Sequence, residues 1–160
     1  MSNLPAIDFE SIFSEAFDTF KAFNRLSVVI VTCMPHGTSK NIWQILNHLI
    51  FWQKNQLLLI QGKKPEKNIS EIDTWIKTTI PNGQEEINTA VNIFDSQVND
   101  IKTIVLALSP SEPNFDFKLK TLMDMATHLS FHLGEIISLR RQCGNYPMPE
   151  NMTVFLETVK

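Results

Sequence analysis

Apolar residues recur along this chain at spacings of three and four, in four long stretches separated by proline and glycine. The first stretch runs from about Asp8 to about Val31, with Phe9, Ile12, Phe13, Ala16, Phe17, Phe20 and Phe23 on one face. Its end, Val28 to Val31, is β-branched and has strand character. A lone strand would have no partner here, so the helix is extended through it. Pro35, His36 and Gly37 break the pattern, and Ser39 is the expected N-cap of a second helix reaching about Gln61, before Gly62. Ile42, Ile45, Leu46, Leu49, Trp52, Leu57 and Ile60 form its stripe. From Gly62 to Gly83 the chain is polar and punctuated by Pro65, Pro81 and Asn82, with a short helix expected over Ser70 to Thr78 and Trp75 as its anchor.

The third stretch is the most regular. Ile87, Val91, Phe94, Val98, Ile101, Val105 and Leu108 alternate steps of four and three, the seam of a bundle helix, and the Ser109 to Pro113 region ends it. The fourth starts near Phe117 or Lys118 and closes at Gly144, a suitable C′ glycine followed by Pro147. Leu119, Leu122, Met123, Ala126, Leu129, Leu133 and Ile137 make its main stripe, with His128 and His132 well round from it. No useful strand alternation occurs. The expectation is an all-α fold, a four-helix bundle forming one domain over residues 1–160.

Composition narrows the function classes. Of 160 residues, 43% are apolar and 19% charged, which suits a globular chain, and the net charge of -3 lacks the basic surplus of a nucleic-acid binder. Lys63, Lys64 and Lys67 read as a solvated loop. The first twenty residues are broken by Asp8, Glu10, Glu15 and Asp18, unlike an export signal, and no apolar run is long enough for a bilayer. Cys33 and Cys143, without a CxxC pair, read as free thiols, so a cytoplasmic protein with no membrane partner is expected.

Chemistry concentrates in THLSFHLGEIISLRRQCGNYP, residues 127–147. His128 and His132, four apart on a helix, stack on one face within reach of one metal ion. His48 lies in WQILNHLIFWQ, and packing of the two helices would let three imidazoles converge and leave a coordination position open, as catalytic sites do. The bland alternative is three hydrogen-bonded core histidines. His36 belongs to a loop. Asp124, four residues before His128, reads either as an orienting partner of that ring or as a solvated residue. Glu135 reads as a general base beside the metal or as a surface neighbour of Arg140 and Arg141, which oppose the helix dipole. The HExxH glutamate of zincins is missing, as are nucleophile triads, P-loops and dinucleotide motifs.

These two motifs, in this order, resemble the DinB-like superfamily, whose closing helix carries HxxxHxGQ, an Arg-rich turn and a Gly-aromatic-Pro end. The resemblance implies a four-helix bundle, commonly a homodimer, with a divalent metal such as Zn or Ni on His48, His128 and His132. Two positions depart from the family pattern: Glu135 stands where Gln is usual, and Asn47 where Glu is frequent. Characterised relatives include enzymes that use a metal to activate a low-molecular-weight thiol for transfer or isomerisation, while many others have no known activity, and the leading expectation is a metal-dependent thiol transferase acting on a small molecule. A hydrolase using metal-bound water is the enzymatic alternative, and a non-catalytic bundle binding a small ligand or partner is the alternative from another class.

Overall fold

The protein is described by a computed structural model over residues 7–64 and 70–158. Among the described residues six α-helices follow one another: α1 (Phe9–Phe13), α2 (Val28–Thr32), α3 (Ile42–Ile60), α4 (Gln84–Ala107), α5 (Phe115–Gln142) and α6 (Met152–Thr158). Short 3-10 turns lie at Glu71–Thr74 and Pro149–Asn151, and no strand occurs among the described residues. The all-α bundle expected from the sequence is the observed fold. α3 sits at its centre, packed on α4 along one side and α5 along the other, with α1 on α4 and α2 on α3. Pro65 and Lys67, assigned above to a loop, lie outside the described residues.

The three long helices follow their sequence signals, with small shifts. α3 begins after Asn41 rather than Ser39, because Asn41 and Gln44 form a reciprocal capping box: Asn41 Oδ1 accepts from the Gln44 amide at 3.0 Å and Gln44 Oε1 accepts from the Asn41 amide at 3.4 Å. In α4 the heptad holds, with Ile87, Phe94 and Ile101 fully buried, although Ala90 is buried and Val91 only half so. α5 ends in a Schellman motif. Gly144 takes φ +70°, its amide reaches the Arg141 carbonyl at 3.0 Å, and the Asn145 amide reaches that of Arg140 at 2.9 Å.

The stripe expected for α5 is rotated. Leu122, Met125, Leu129, His132, Leu133, Ile136 and Leu139 are buried, whereas Met123 is 56% exposed and Leu119, Ala126 and Ile137 lie on the flank. The helix meets α3 about a quarter of a turn away from the expected face, so His132 belongs to the buried seam itself.

The first segment departs most. Its phenylalanines do enter the core, with Phe9, Phe13, Phe17 and Phe23 all buried, but no continuous helix carries them. Phe20, Lys21 and Arg25 take positive φ between α1 and α2. The carbonyls that a helix would have used are claimed by side chains from elsewhere. Tyr146 Oη donates to Phe20 O at 2.6 Å, Arg140 Nη1 to Ala22 O at 2.6 Å and Asn24 O at 3.2 Å, and Gln84 Nε2 to Leu26 O at 2.8 Å. Arg140 is therefore a buried anchor of this segment rather than a surface charge facing the helix dipole. The β-branched Val28–Thr32 run is helical, capped by Ser27. The expected helix over Ser70 to Thr78 contracts to the single 3-10 turn.

Cys33 and Cys143 are joined in a disulfide, not free as expected. Each is the C-cap residue of its helix, α2 and α5, and their Cα atoms lie 6.5 Å apart at one end of the bundle. A separation of 110 residues gave no local hint of this pairing. Such bonds persist in oxidising surroundings, so the cytoplasmic expectation loses the support that free thiols lent it. No helix among the described residues is long and apolar enough to cross a membrane.

Candidate metal centre

The contact between α3 and α5 brings the three expected histidines together. His48, 2% exposed, points from α3; His132, 4% exposed, and the half-buried His128 come from α5. His128 Nε2 lies 3.2 Å from His48 Nε2 and 3.1 Å from His132 Nε2, and all three potential ligand atoms fall within 4.8 Å of one another. Three nitrogens at about 2.0–2.1 Å from a tetrahedral ion would be about 3.3–3.4 Å apart. Two of the three spacings are already close to that value, so the donor set fits a divalent transition metal. Neutral imidazole is the ligating form, and the site favours it. Burial, followed by repulsion from His132 and then His128, lowers the His48 pKa to about 4, against a smaller raising effect of a hydrogen bond to the Thr74 backbone. Burial, then His132, lowers that of His128 to about 4.

Two rings are held at their far nitrogens. His132 Nδ1 lies 2.6 Å from Glu135 Oε2, and His48 Nδ1 lies 2.7 Å from Thr74 Oγ1. Trp75 stacks on His48, with centroids 3.8 Å apart and planes 7° from parallel. Trp52 meets His128 edge-on at 5.9 Å and Phe131 meets His132 at 5.0 Å, so aromatic rings surround the cluster. Beyond it opens a cavity of about 990 Å³ whose wall includes Lys40, Trp52, Gln56, Trp75, Phe131 and Ser138.

The other expected residues divide. Asp124 borders the cavity but pairs with Lys120 one turn earlier on α5, and no bond joins it to His128. Glu135 contacts His132 rather than Arg140 or Arg141, whose guanidinium groups are spent on Ala22, Asn24, Asn145 and Pro147. His36 is exposed in the loop before α3 and is not one of the clustered histidines. Thr74 went unnoticed in the sequence, since a threonine in an aperiodic loop carries no signal. Trp75 was legible only as a hydrophobic anchor.

Fold and site define an all-α bundle whose two central helices present a three-histidine candidate metal centre to an open cavity. The family model described as DinB superfamily matches residues 17–135, a span that contains all three histidines, and the chain belongs to that superfamily. No curated protein and no solved structure matches the chain.

Proposed function

We propose that this protein binds a divalent transition metal, Zn or Ni, on His48, His128 and His132, and uses it as a transferase acting with a low-molecular-weight thiol. The observation that carries the reading is the convergence of three Nε2 atoms at the wall of a cavity large enough for a thiol and a second small molecule. The bound ion would lower the pKa of a coordinated thiol and keep it as thiolate at neutral pH. The chain's own groups do the rest. His48, His128 and His132 would hold the ion, with the cavity they border as the side left for a further ligand. Trp52 and Trp75 pack their half-buried rings against His128 and His48. Glu135 keeps the His132 ring in place through Oε2 and lines the cavity, where its carboxylate would take the proton of an incoming thiol. A homodimer completes the proposal, with Met123 and Phe131 among the exposed apolar residues of α5 available for it.

Elemental analysis of tag-free protein tests the first half. About one equivalent of metal per chain is expected, and its loss in His48→Ala. For the second half, the protein is reconstituted with Ni or Co and titrated with a small thiol. A sulfur-to-metal charge-transfer band supports the transferase. Metal without that band, together with ester or amide cleavage, shifts the assignment to the hydrolase that uses the same open position for water. Absence of metal, with no uptake of added Zn or Ni, leaves a non-catalytic binding bundle.

A further inference from the structure

The stretch from the 3-10 turn to the start of α4 contributes none of the clustered histidines, yet Thr74, at the end of the turn, and Trp75, just after it, both contact the His48 ring. Its placement is enforced from the start of α3. Asn41 Nδ2 donates to Thr79 O at 2.7 Å and Gln44 Nε2 donates to Ile76 O at 3.2 Å, and both side chains are buried. The residues just before, Thr74 and Trp75, are thereby fixed over the His48 ring.

The hydroxyl of Thr74, itself 2% exposed, has one proton to give. That proton goes to the Glu71 carbonyl, 2.5 Å away, within the 3-10 turn. Toward His48 Nδ1, at 2.7 Å, the hydroxyl has only a lone pair to offer, so the imidazole must donate. We propose that Thr74 is a positioning residue that locks His48 as the Nδ1–H tautomer, delivering Nε2 to the cluster as a lone pair, while Trp75 fixes the plane of the ring. The relay runs from the His48 Nδ1–H through Thr74 Oγ1 to the Glu71 carbonyl. His132 is held by a carboxylate instead, and the described contacts give His128 Nδ1 no partner. The three rings are thus oriented by three different means, and the neutral hydroxyl gives His48 less basicity than a carboxylate gives His132.

The inference rests on the metal-binding reading for its consequence but not for its central observation. Long-range proton–nitrogen NMR correlations of the metal-stripped wild-type protein report the tautomer directly. His48 protonated on Nδ1 is expected; protonation on Nε2 overturns the proposal. Thr74→Val keeps the shape and removes the hydroxyl. It should mix the His48 tautomers and weaken Zn binding by about 10–100-fold, with Thr74→Ser restoring both. A Thr74→Val protein that keeps a single Nδ1–H tautomer, or binds Zn as tightly as wild type, overturns it as well. Should Thr74→Val fail to fold, the wild-type spectrum decides. A wild-type protein that takes up no Zn sinks the metal reading alone, and the same spectrum still decides the role of Thr74.

Discussion

Reducing the Cys33–Cys143 bond tests how the first segment is held. The bond closes a chain separation of 110 residues. In the chain-entropy description such a loop removes about 16 cal/mol/K from the unfolded ensemble, or about 4.8 kcal/mol at 25 °C. That value is a ceiling, since residual structure in the unfolded chain reduces it, and a measured loss of about 2–5 kcal/mol is expected. The folded state itself should survive, because Arg140 and Tyr146 continue to bind the Phe20, Ala22 and Asn24 carbonyls without the bond. Urea unfolding followed by far-UV circular dichroism, with and without reductant, gives the number. With a slope of about 2 kcal/mol/M, the midpoint should fall by roughly 1–2.5 M, and the slope should rise because the reduced unfolded chain expands. Cys33→Ser with Cys143→Ser should match the reduced wild type. Unchanged midpoints on reduction, or two titratable thiols per chain in unreduced native protein, would refute the reasoning. Either result would return the chain to the reducing compartment that free cysteines imply.

Three further outcomes follow from the packing and the charges. Phe94→Ala should cost about 3–5 kcal/mol in urea unfolding whatever the function, since Phe94 is fully buried and packs its ring 4.3 Å from that of Phe23; a loss below 1 kcal/mol would contradict the packing. Arg140→Met should destabilise by about 3 kcal/mol and raise hydrogen exchange selectively over residues 20–26, because the buried Ala22 carbonyl and the part-buried Asn24 carbonyl lose a charged donor; uniform exchange would argue against the anchor role. In metal-free protein the His48 and His128 rings should titrate near pH 4 by NMR. The sign follows from the depressed values. Between about pH 6.5 and 4 the unfolded chain binds more protons than the folded one, so stability is full above that window and falls as pH drops through it. Ring titrations near pH 6.5 would show that the cluster is wet and uncoupled.

Legibility of the fold tracked how local each signal was. The α4 seam from Ile87 to Val105 and the Gly144 stop of α5 depend on neighbouring residues alone, and both stand as read. The α3 start missed by two residues because Ser39 and Asn41 are both competent caps, and only the reciprocal bond with Gln44 separates them. The face of α5 failed for a different reason. Apolar residues occur on two adjoining sides, and whichever side meets α3 is settled by tertiary fit rather than by period. His48, His128 and His132 were legible as a set because a pair spaced i,i+4 on one helix and a single histidine on another form a pattern that helix geometry can bring together. Thr74 was not, since a hydroxyl reaching a ring from an irregular loop obeys no spacing.

The first segment shows why phenylalanine periodicity there fitted a helix that does not form. Phe9, Phe13, Phe17 and Phe23 need only reach the core, and an irregular path satisfies that as well as a helix does, provided its carbonyls find donors. Those donors come largely from Arg140 in the last turn of α5 and Tyr146 just beyond it, with Gln84 of α4 completing them. Cys143 fastens the same region covalently. One helix therefore carries two of the three clustered histidines near its middle and the anchorage of the broken segment at its C-terminus. Loss of that anchorage acts on the bundle's stability before it acts on the cluster. Variants at Arg140 or Cys143 should accordingly weaken folding while the residual folded fraction keeps its metal affinity, whereas Thr74→Val should do the reverse. A shared loss of both properties in Arg140→Met would show that the middle and the C-terminal end of α5 are coupled after all.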